Sequence, residues 1–519
     1  MTSTPRRRLL LGAIVAAALV AGLPGTSGAG SGYLTPQPPM LTLDASAPAG
    51  SELVAIINSG DELSNGFLFE GIPDGIGVMP GADPGTVDAF VNHEQSHVPF
   101  PATLADVADA SVSRVTLDTS IGAVLNGSVA LPASAGFIRF CSATMAGPAE
   151  GFSSYTFFTN EESPDIIPVP AGAPYGPDPA LTPDRQAGYS VVLDPETGEF
   201  TQVPGLGRVN HENTMVVPGG WDQIALLTGD DTFFPPFPAW SQLYLYLAGN
   251  EDAIWNDTGT LWAFRVTHKN GIRVDPTDPF NGANDYGDIE SGDDLRGRFI
   301  RVPLKIARGL RENAAPQNAL EDWSNLNNVF QFIRVEDTAY DVNSPRVVYI
   351  ADTGDRRMVP DPNTGRLTRN PSTGPFGDFP NGRVFRMEFD AANPRRVVSF
   401  SILLNGDTGE PAGIGPIHQP DNMGSSAGSL MVQEDTSQLP NSRVWRYDFA
   451  TATWSVVASV NDPGWESSGI VDVSQWFGEG WWLLDVQAHN VFVHTEPGPP
   501  GVTLKREGGQ LVLMRIPGS

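Results

Sequence analysis

Four segments of the sequence concentrate acids and amides behind short apolar runs: Thr159-Asn160-Glu161-Glu162, Thr228-Gly229-Asp230-Asp231, Ala351-Asp352-Thr353-Gly354-Asp355 and Gln433-Glu434-Asp435. A hard cation such as calcium needs oxygens that converge from several chain elements. Taken singly, each segment reads equally as a tight turn whose Asp or Asn bonds its own backbone. Two further segments set a histidine and a glutamate after an asparagine: Val91-Asn92-His93-Glu94 and Val209-Asn210-His211-Glu212. Neighbouring residues of a strand point to opposite faces, so only one of each His-Glu pair would face a site. Neither pair belongs to an H-E-x-x-H helix, and Cys and His are nowhere spaced as zinc ligands, which disfavours a zincin or a structural zinc. No P-loop, no Gly-x-Ser-x-Gly elbow and no G-x-G-x-x-G ahead of a helix is read in the sequence, so P-loop nucleotide hydrolysis, α/β-hydrolase chemistry and dinucleotide redox lose support.

Cys141 is the only cysteine of the 519 residues, which excludes an intramolecular disulfide framework. A solitary cysteine is buried, reactive or ligating, and by its type alone it is most often a small buried hydrophobe. The chain carries 60 acidic against 31 basic residues, a net charge of −29. Such a charge repels nucleic-acid phosphates and anionic lipid headgroups and makes cations the natural partners. A solvated acidic surface would give the same total, so the positions of the acids must decide.

Elements that could gather these residues are short and β-like, each bounded by Gly, Pro, Asn or Asp: 137–140, 154–159, 214–217, 223–227, 242–247, 259–266, 346–351, 383–389, 429–432, 443–448, 453–458, 480–485 and 510–515. Amphipathic helices are nearly absent. Many short strands spread evenly along a chain suit a closed or radially repeated all-β architecture, which protects strand edges, and a β-propeller fits best. Residues 157–162, 224–231, 347–355 and 430–435 repeat one layout, an apolar strand that ends in acids and a turn; they read as equivalent strands of different blades. The repeat is too degenerate to give the number of blades. Pro- and Gly-rich stretches at 164–183, 360–380 and 498–501 read as long surface loops.

Residues 1–29 have the layout of an export signal of twin-arginine type: Arg6, Arg7 and Arg8, an apolar run over 9–23, then small residues around Ser27 and Ala29. An ordinary secretory signal or a retained anchor is the alternative. The organisation expected is thus a signal at 1–29 and one propeller domain over 30–519, secreted or periplasmic, with no membrane contact after cleavage. No later stretch is apolar enough to span a bilayer.

Read in order from about Asn65 to Asn490, these segments resemble the PhoX alkaline phosphatase family. Val91 to Glu94 is similar to that family's early Val-Asn-His-Glu stretch, and Cys141 followed by Phe158-Thr159-Asn160-Glu161-Glu162 to its cysteine and Glu-Glu element. Gly207-Arg208-Val209-Asn210-His211-Glu212 with Leu227 to Asp231, Ile333-Arg334-Val335-Glu336-Asp337 with Val348 to Asp352, and Gln419-Pro420-Asp421-Asn422 with Leu430 to Asp435 match further elements in the family's order.

The resemblance implies an all-β propeller, expected with six blades and long surface loops, that hydrolyses phosphomonoesters at an iron and calcium centre. Carried over by position, Cys141 and Glu212 would bind Fe3+, Glu336 would bind Ca2+, and Arg334 would grip the substrate phosphate; Glu162, Asp231, Asp421 and Asp435 are added as Ca2+ ligands. Thiolate suits iron and hard oxygens suit calcium, and arginine offers the planar fork that phosphate oxygens accept. The partner implied is a small phosphorylated substrate, with no nucleic acid, and the protein is expected to be a monomer. The sequence also departs from the family. Ser142-Ala143-Thr144-Met145-Ala146-Gly147-Pro148 replaces a Gly-rich Thr-Pro-Trp-Gly stretch, Val335 replaces a proline, and Arg139 is the only basic residue where the family has a lysine before its cysteine. Val486-Gln487-Ala488-His489-Asn490 lacks the proline of a Gln-His-Pro motif. Two alternatives therefore stay open: a calcium-stabilised propeller that only binds a partner or glycan, and a calcium-dependent lactonase-type hydrolase that leaves Cys141 idle.

Overall fold

The computed structural model describes residues 32–100, 102–232, 241–370, 377–435 and 441–519. The signal expected at residues 1–29 lies outside them.

Six antiparallel blades follow one another around a central channel. Their innermost strands are Pro73–Pro80, Phe140–Ala146, His211–Val216, Val335–Asp341, Pro420–Ser425 and Glu466–Asp472, here blades I to VI in that order. Each inner strand touches the next, and the sixth touches the first, so the ring is closed. Closure is made by the N-terminal segment: Glu52–Asn58 supplies the outer strand of blade VI, pairing with Thr503–Arg515, while Leu41–Leu43 extends blade V. Blades III and IV are further joined at their rims by Leu295–Arg301, which pairs with a strand of each.

The core is divided among the interfaces between blades. Phe90 and Phe157 meet between I and II, Phe158 and Leu226 between II and III, Leu227 and Ile350 between III and IV. Ala351 and Leu430 meet between IV and V, Met431 and Leu484 between V and VI, and Leu483 and Ile76 between VI and I. Consecutive residues such as Phe157-Phe158 and Leu226-Leu227 thus face two different neighbours. A blade sandwiched on both faces has no solvent side, which is why its strands read as continuous apolar runs rather than alternating ones.

The four repeated segments of the sequence are indeed equivalent. They fall on Thr156–Glu161, Ile224–Asp230, Ser344–Asp352 and Ser429–Glu434, each the second strand of its blade. Residues 137–139, read as the start of a strand, precede the inner strand instead, because Arg139 turns the chain with φ at 50°. Two stretches read as loops carry hairpin pairing, Ile166–Pro168 with Asp184–Gln186 and Met358–Asp361 with Arg366–Arg369. Among the described residues the one helix of length, Pro316–Leu326, begins with proline at its first turn and buries Leu320 against blades II and III.

Candidate metal centre

In blades I to V the pairing between the first and second strands breaks just after the inner strand begins: between Pro73 and Ile76, Phe140 and Ala143, His211 and Thr214, Val335 and Thr338, and Pro420 and Met423. Two residues then oppose one, a bulge that re-aims side chains. The first residue of each bulge is Asp74, Cys141, Glu212, Glu336 or Asp421. Blade VI breaks two residues later, after Ser468.

The second strands deliver a matching set. The backbone N–H of Glu94, Glu162, Asp231, Thr353 and Asp435 donates to the carbonyl of Ile72, Arg139, Asn210, Arg334 and Gln419, at 2.8–3.0 Å, in each case the residue just ahead of the inner strand. One repeated backbone bond therefore sets a second polar side chain beside the first in five blades.

Together these residues form four overlapping groups whose ligand atoms lie within 4.8 Å of one another: Asp74, Glu94 and Cys141; Cys141, Glu162 and Glu212; Glu212, Glu336 and Asp421; Asp421, Asp435 and Glu466. Of the residues singled out in the sequence, Cys141, Glu162, Glu212, Glu336, Asp421 and Asp435 are brought together. Asp231 stands outside the four groups and is gripped by Arg334, whose Nε and Nη2 lie 2.9 and 2.8 Å from its two carboxylate oxygens. Arg334 also contacts Glu336 at 2.8 Å. Asp74, Glu94 and Glu466 join the ring although sequence reasoning did not assign them as ligands. Glu94 lay in a quoted stretch, and Pro73-Asp74 echoes Pro420-Asp421.

Hydrogen bonds hold the ring from outside. Ser142 Oγ and Cys141 Sγ donate to Glu212 Oε1 at 2.5 and 3.3 Å, while Glu212 Oε2 is buried without a partner. Thr353 Oγ1 donates to Glu336 at 2.6 Å, and Asp74 receives Ser468 Oγ and the Gln487 amide, the latter at 2.9 Å. Asn92 and Asn160 donate to the carbonyls of Cys141 and Glu212 in the next blade, at 2.5 and 2.7 Å.

Burial dominates the electrostatics. It pushes the carboxyls of Glu162, Glu212, Glu336, Asp421 and Glu466 well above the carboxylate range, with repulsion between neighbours adding to it. Glu94 is raised to about 7 by the same causes, and the Cys141 thiol is raised by burial and then by Asp74 and Glu212. So much adjacent acid with one internal arginine is a set of groups that either keep their protons or take up cations. The orphaned Glu212 oxygen and the mixed thiol and carboxylate donors fit cations.

The two histidines of the His-Glu pairs face the blade interiors. His93 Nε2 meets Ser113 Oγ at 2.7 Å, and His211 contacts Thr228 Oγ1 and the Gly207 carbonyl, both at 3.0 Å. Burial lowers each to about 4, so both stay neutral. Val335, where a proline was expected, donates its N–H to Ser241 Oγ at 2.9 Å, a bond proline cannot make. Contrary to the expectation of no such motif, Gly424-Ser425-Ser426-Ala427-Gly428 does spell Gly-x-Ser-x-Gly, but it turns one strand of blade V into the next and leads into no helix, so it is not a nucleophile elbow.

No protein-family model and no curated protein matches the sequence. Among solved structures, PhoX of Pseudomonas fluorescens, in complex with vanadate, a transition-state analogue, superposes with a TM-score of 0.59 at 14% identity, covering 92% of this chain and 98% of that one. The α-L-arabinanase of Penicillium chrysogenum, complexed with arabinobiose, gives a TM-score of 0.37 at 9% identity over 90% and 98% of the two chains. The fold of this chain is a PhoX-like β-propeller.

Proposed function

We propose that this protein is an exported metal-dependent phosphatase acting on small phosphomonoesters, with Ca2+ and Fe3+ held by the ring of acids and Cys141. The observation that supports it most is the convergence of four ligand groups around one end of the channel, with Arg334 beside them. Cys141 and Glu212 would hold iron, and Glu162, Glu336, Asp421 and Asp435, joined by Asp74, Glu94 and Glu466, would hold calcium. Such cations, when bound, supply Lewis-acid stabilisation of charge on phosphoryl oxygens. They would also offset the repulsion between an acidic protein and an anionic substrate.

The chain's own residues bind and orient. Asp231 holds the guanidinium of Arg334 in plane, so the fork is fixed in position rather than mobile. Thr353 and Ser142 fix the carboxylates of Glu336 and Glu212. Export by the twin-arginine route belongs to the proposal, since residues 6–8 and the apolar run behind them have that layout. Elemental analysis of natively exported protein, with p-nitrophenyl phosphate turnover on the same sample, tests the reading. Iron and calcium together with turnover support it.

A second reading, a calcium-stabilised propeller without hydrolysis, is favoured by one observation: Arg334 is engaged by two acids, Asp231 and Glu336. Calcium without iron and without turnover would select it.

A further inference from the structure

Beside the Cys141 end of the ring lies a cavity of about 410 Å3, within the roughly 300–1,000 Å3 of small-molecule sites. Glu94 and Glu162, both members of the ring, form part of its wall. Facing them are Val98, Phe100 and Leu104, from the segment that follows Glu94. The described residues of that segment are tied down by hydrogen bonds. Ser96 and Asp106 exchange bonds at 2.9 Å, Phe100 N–H donates to Leu104 at 2.7 Å, and Leu104–Asp106 adds in parallel to Thr503–Arg515. Phe100 is nonetheless 63% exposed. Arg139 reaches into the same cavity with its guanidinium 5.4 Å from the centre of that ring. Its polar contacts are long, 3.4 Å to the Val98 carbonyl and 3.8 Å to Asp165. Lys505 brings little open charge, because Asp106 holds its amino group at 3.0 Å and Glu507 also contacts it.

We infer that this cavity is the leaving-group pocket of the proposed reaction and that it selects phosphomonoesters of aryl-bearing alcohols over those of short or polyhydroxylated ones. The inference rests on the phosphatase reading. An ester whose phosphoryl group lies at the ring has its alcohol portion beside Glu94 and Glu162, where the apolar wall begins. An aromatic group there gains burial against Phe100 and Leu104 and a flat cationic partner in Arg139. A polyol gains neither.

The test compares 2-phenylethyl phosphate with ethyl phosphate, whose leaving groups are both primary alcohols of similar basicity, on the metal-loaded full-length protein. Calorimetric binding of the matching phosphonates gives a readout that needs no turnover. The phenylethyl compound is expected to be favoured by at least about tenfold in kcat/KM and in affinity, and Phe100→Ala and Leu104→Ala are each expected to shrink that ratio several-fold. Phe100 is exposed, so its substitution does not threaten folding. Equal turnover of the two esters, or a ratio untouched by both substitutions, overturns the pocket assignment and leaves the phosphatase reading standing. Hydrolysis of neither ester by protein that contains its metals overturns that reading and this inference with it.

Discussion

Arg334 and Asp231 form a two-pronged ion pair, with Nε to Oδ1 at 2.9 Å and Nη2 to Oδ2 at 2.8 Å, at the edge of a ring of buried and half-buried acids. The aspartate directly follows the second strand of blade III, Ile224–Asp230, and the arginine precedes the inner strand of blade IV, so the pair spans two blades. In this geometry Asp231 holds the arginine and stands outside the four ligand groups.

Substituting Asp231→Asn should therefore leave the calcium and iron content of the protein unchanged while kcat/KM for phosphomonoesters falls by about 10- to 100-fold, because a misplaced binding group is costly. Arg334→Lys should not rescue phosphate binding, since a point charge does not replace a planar fork. Metal lost together with activity in Asp231→Asn would return that residue to the ligands.

Cys141 tests the iron assignment. Cys141→Ser keeps a small polar side chain in the bulge of blade II but removes the thiolate that a softer metal prefers. Elemental analysis should show iron lost and calcium largely retained, with turnover down by about 100-fold or more. Full iron content in the variant would make Cys141 a buried hydrophobe after all.

The acids of the ring give a pH dependence whose sign is fixed. Burial raises Glu94 to about 7 in the folded chain, against about 4.3 for an ordinary glutamate. A raised folded value means that the native state holds the proton more tightly than the unfolded one. This contribution is full below about 4 and is lost as pH rises through 7. Glu162, Glu212 and Glu336 shift in the same direction. Protein stripped by a chelator should thus melt at a lower temperature at pH 8 than at pH 5, as followed by scanning calorimetry. Added calcium should restore the midpoint mainly at pH 8, each site contributing about 2.7 kcal/mol at a hundred times its dissociation constant.

Asn160 ties blade II to blade III through both ends of its amide. Its nitrogen donates to the Glu212 carbonyl at 2.7 Å, and its oxygen receives Thr214 Oγ1 at 2.9 Å. Asn160→Ala leaves two buried partners unsatisfied and should cost about 1–3 kcal/mol in denaturant unfolding. Because the carbonyl it holds belongs to Glu212, metal affinity should fall as well. A variant as stable as the parent would show that the interface is held by its apolar contacts alone.

Much of this was legible in the residues. Apolar runs of four to six, bounded by turn formers and ending in acids, gave equivalent second strands, because a blade sandwiched between two others must be apolar on both faces. The same property hid other features. With both faces buried, alternation no longer distinguishes inside from outside, so Glu161 and Glu162 looked alike. In the fold Glu161 is fully buried and bonded twice to Arg185, at 2.7 and 2.6 Å, whereas Glu162 enters the ring.

The sequence by itself determined the class of fold and the polar strand ends, since these follow from local pattern, whereas six of the side chains now found together were named through the resemblance of ordered segments to a known family. Tertiary structure decided which acids converge. Asp74 meets Gln487 across 413 positions of sequence, and Glu466 enters the ring from the last blade, contacts that exist only because the N-terminal strand closes the circle. It also decided that Asp231 serves Arg334. The physical reason is that a cation site is a sum of short-range contacts between distant strands, and those distances are set by bulges and ring closure, which no local pattern records.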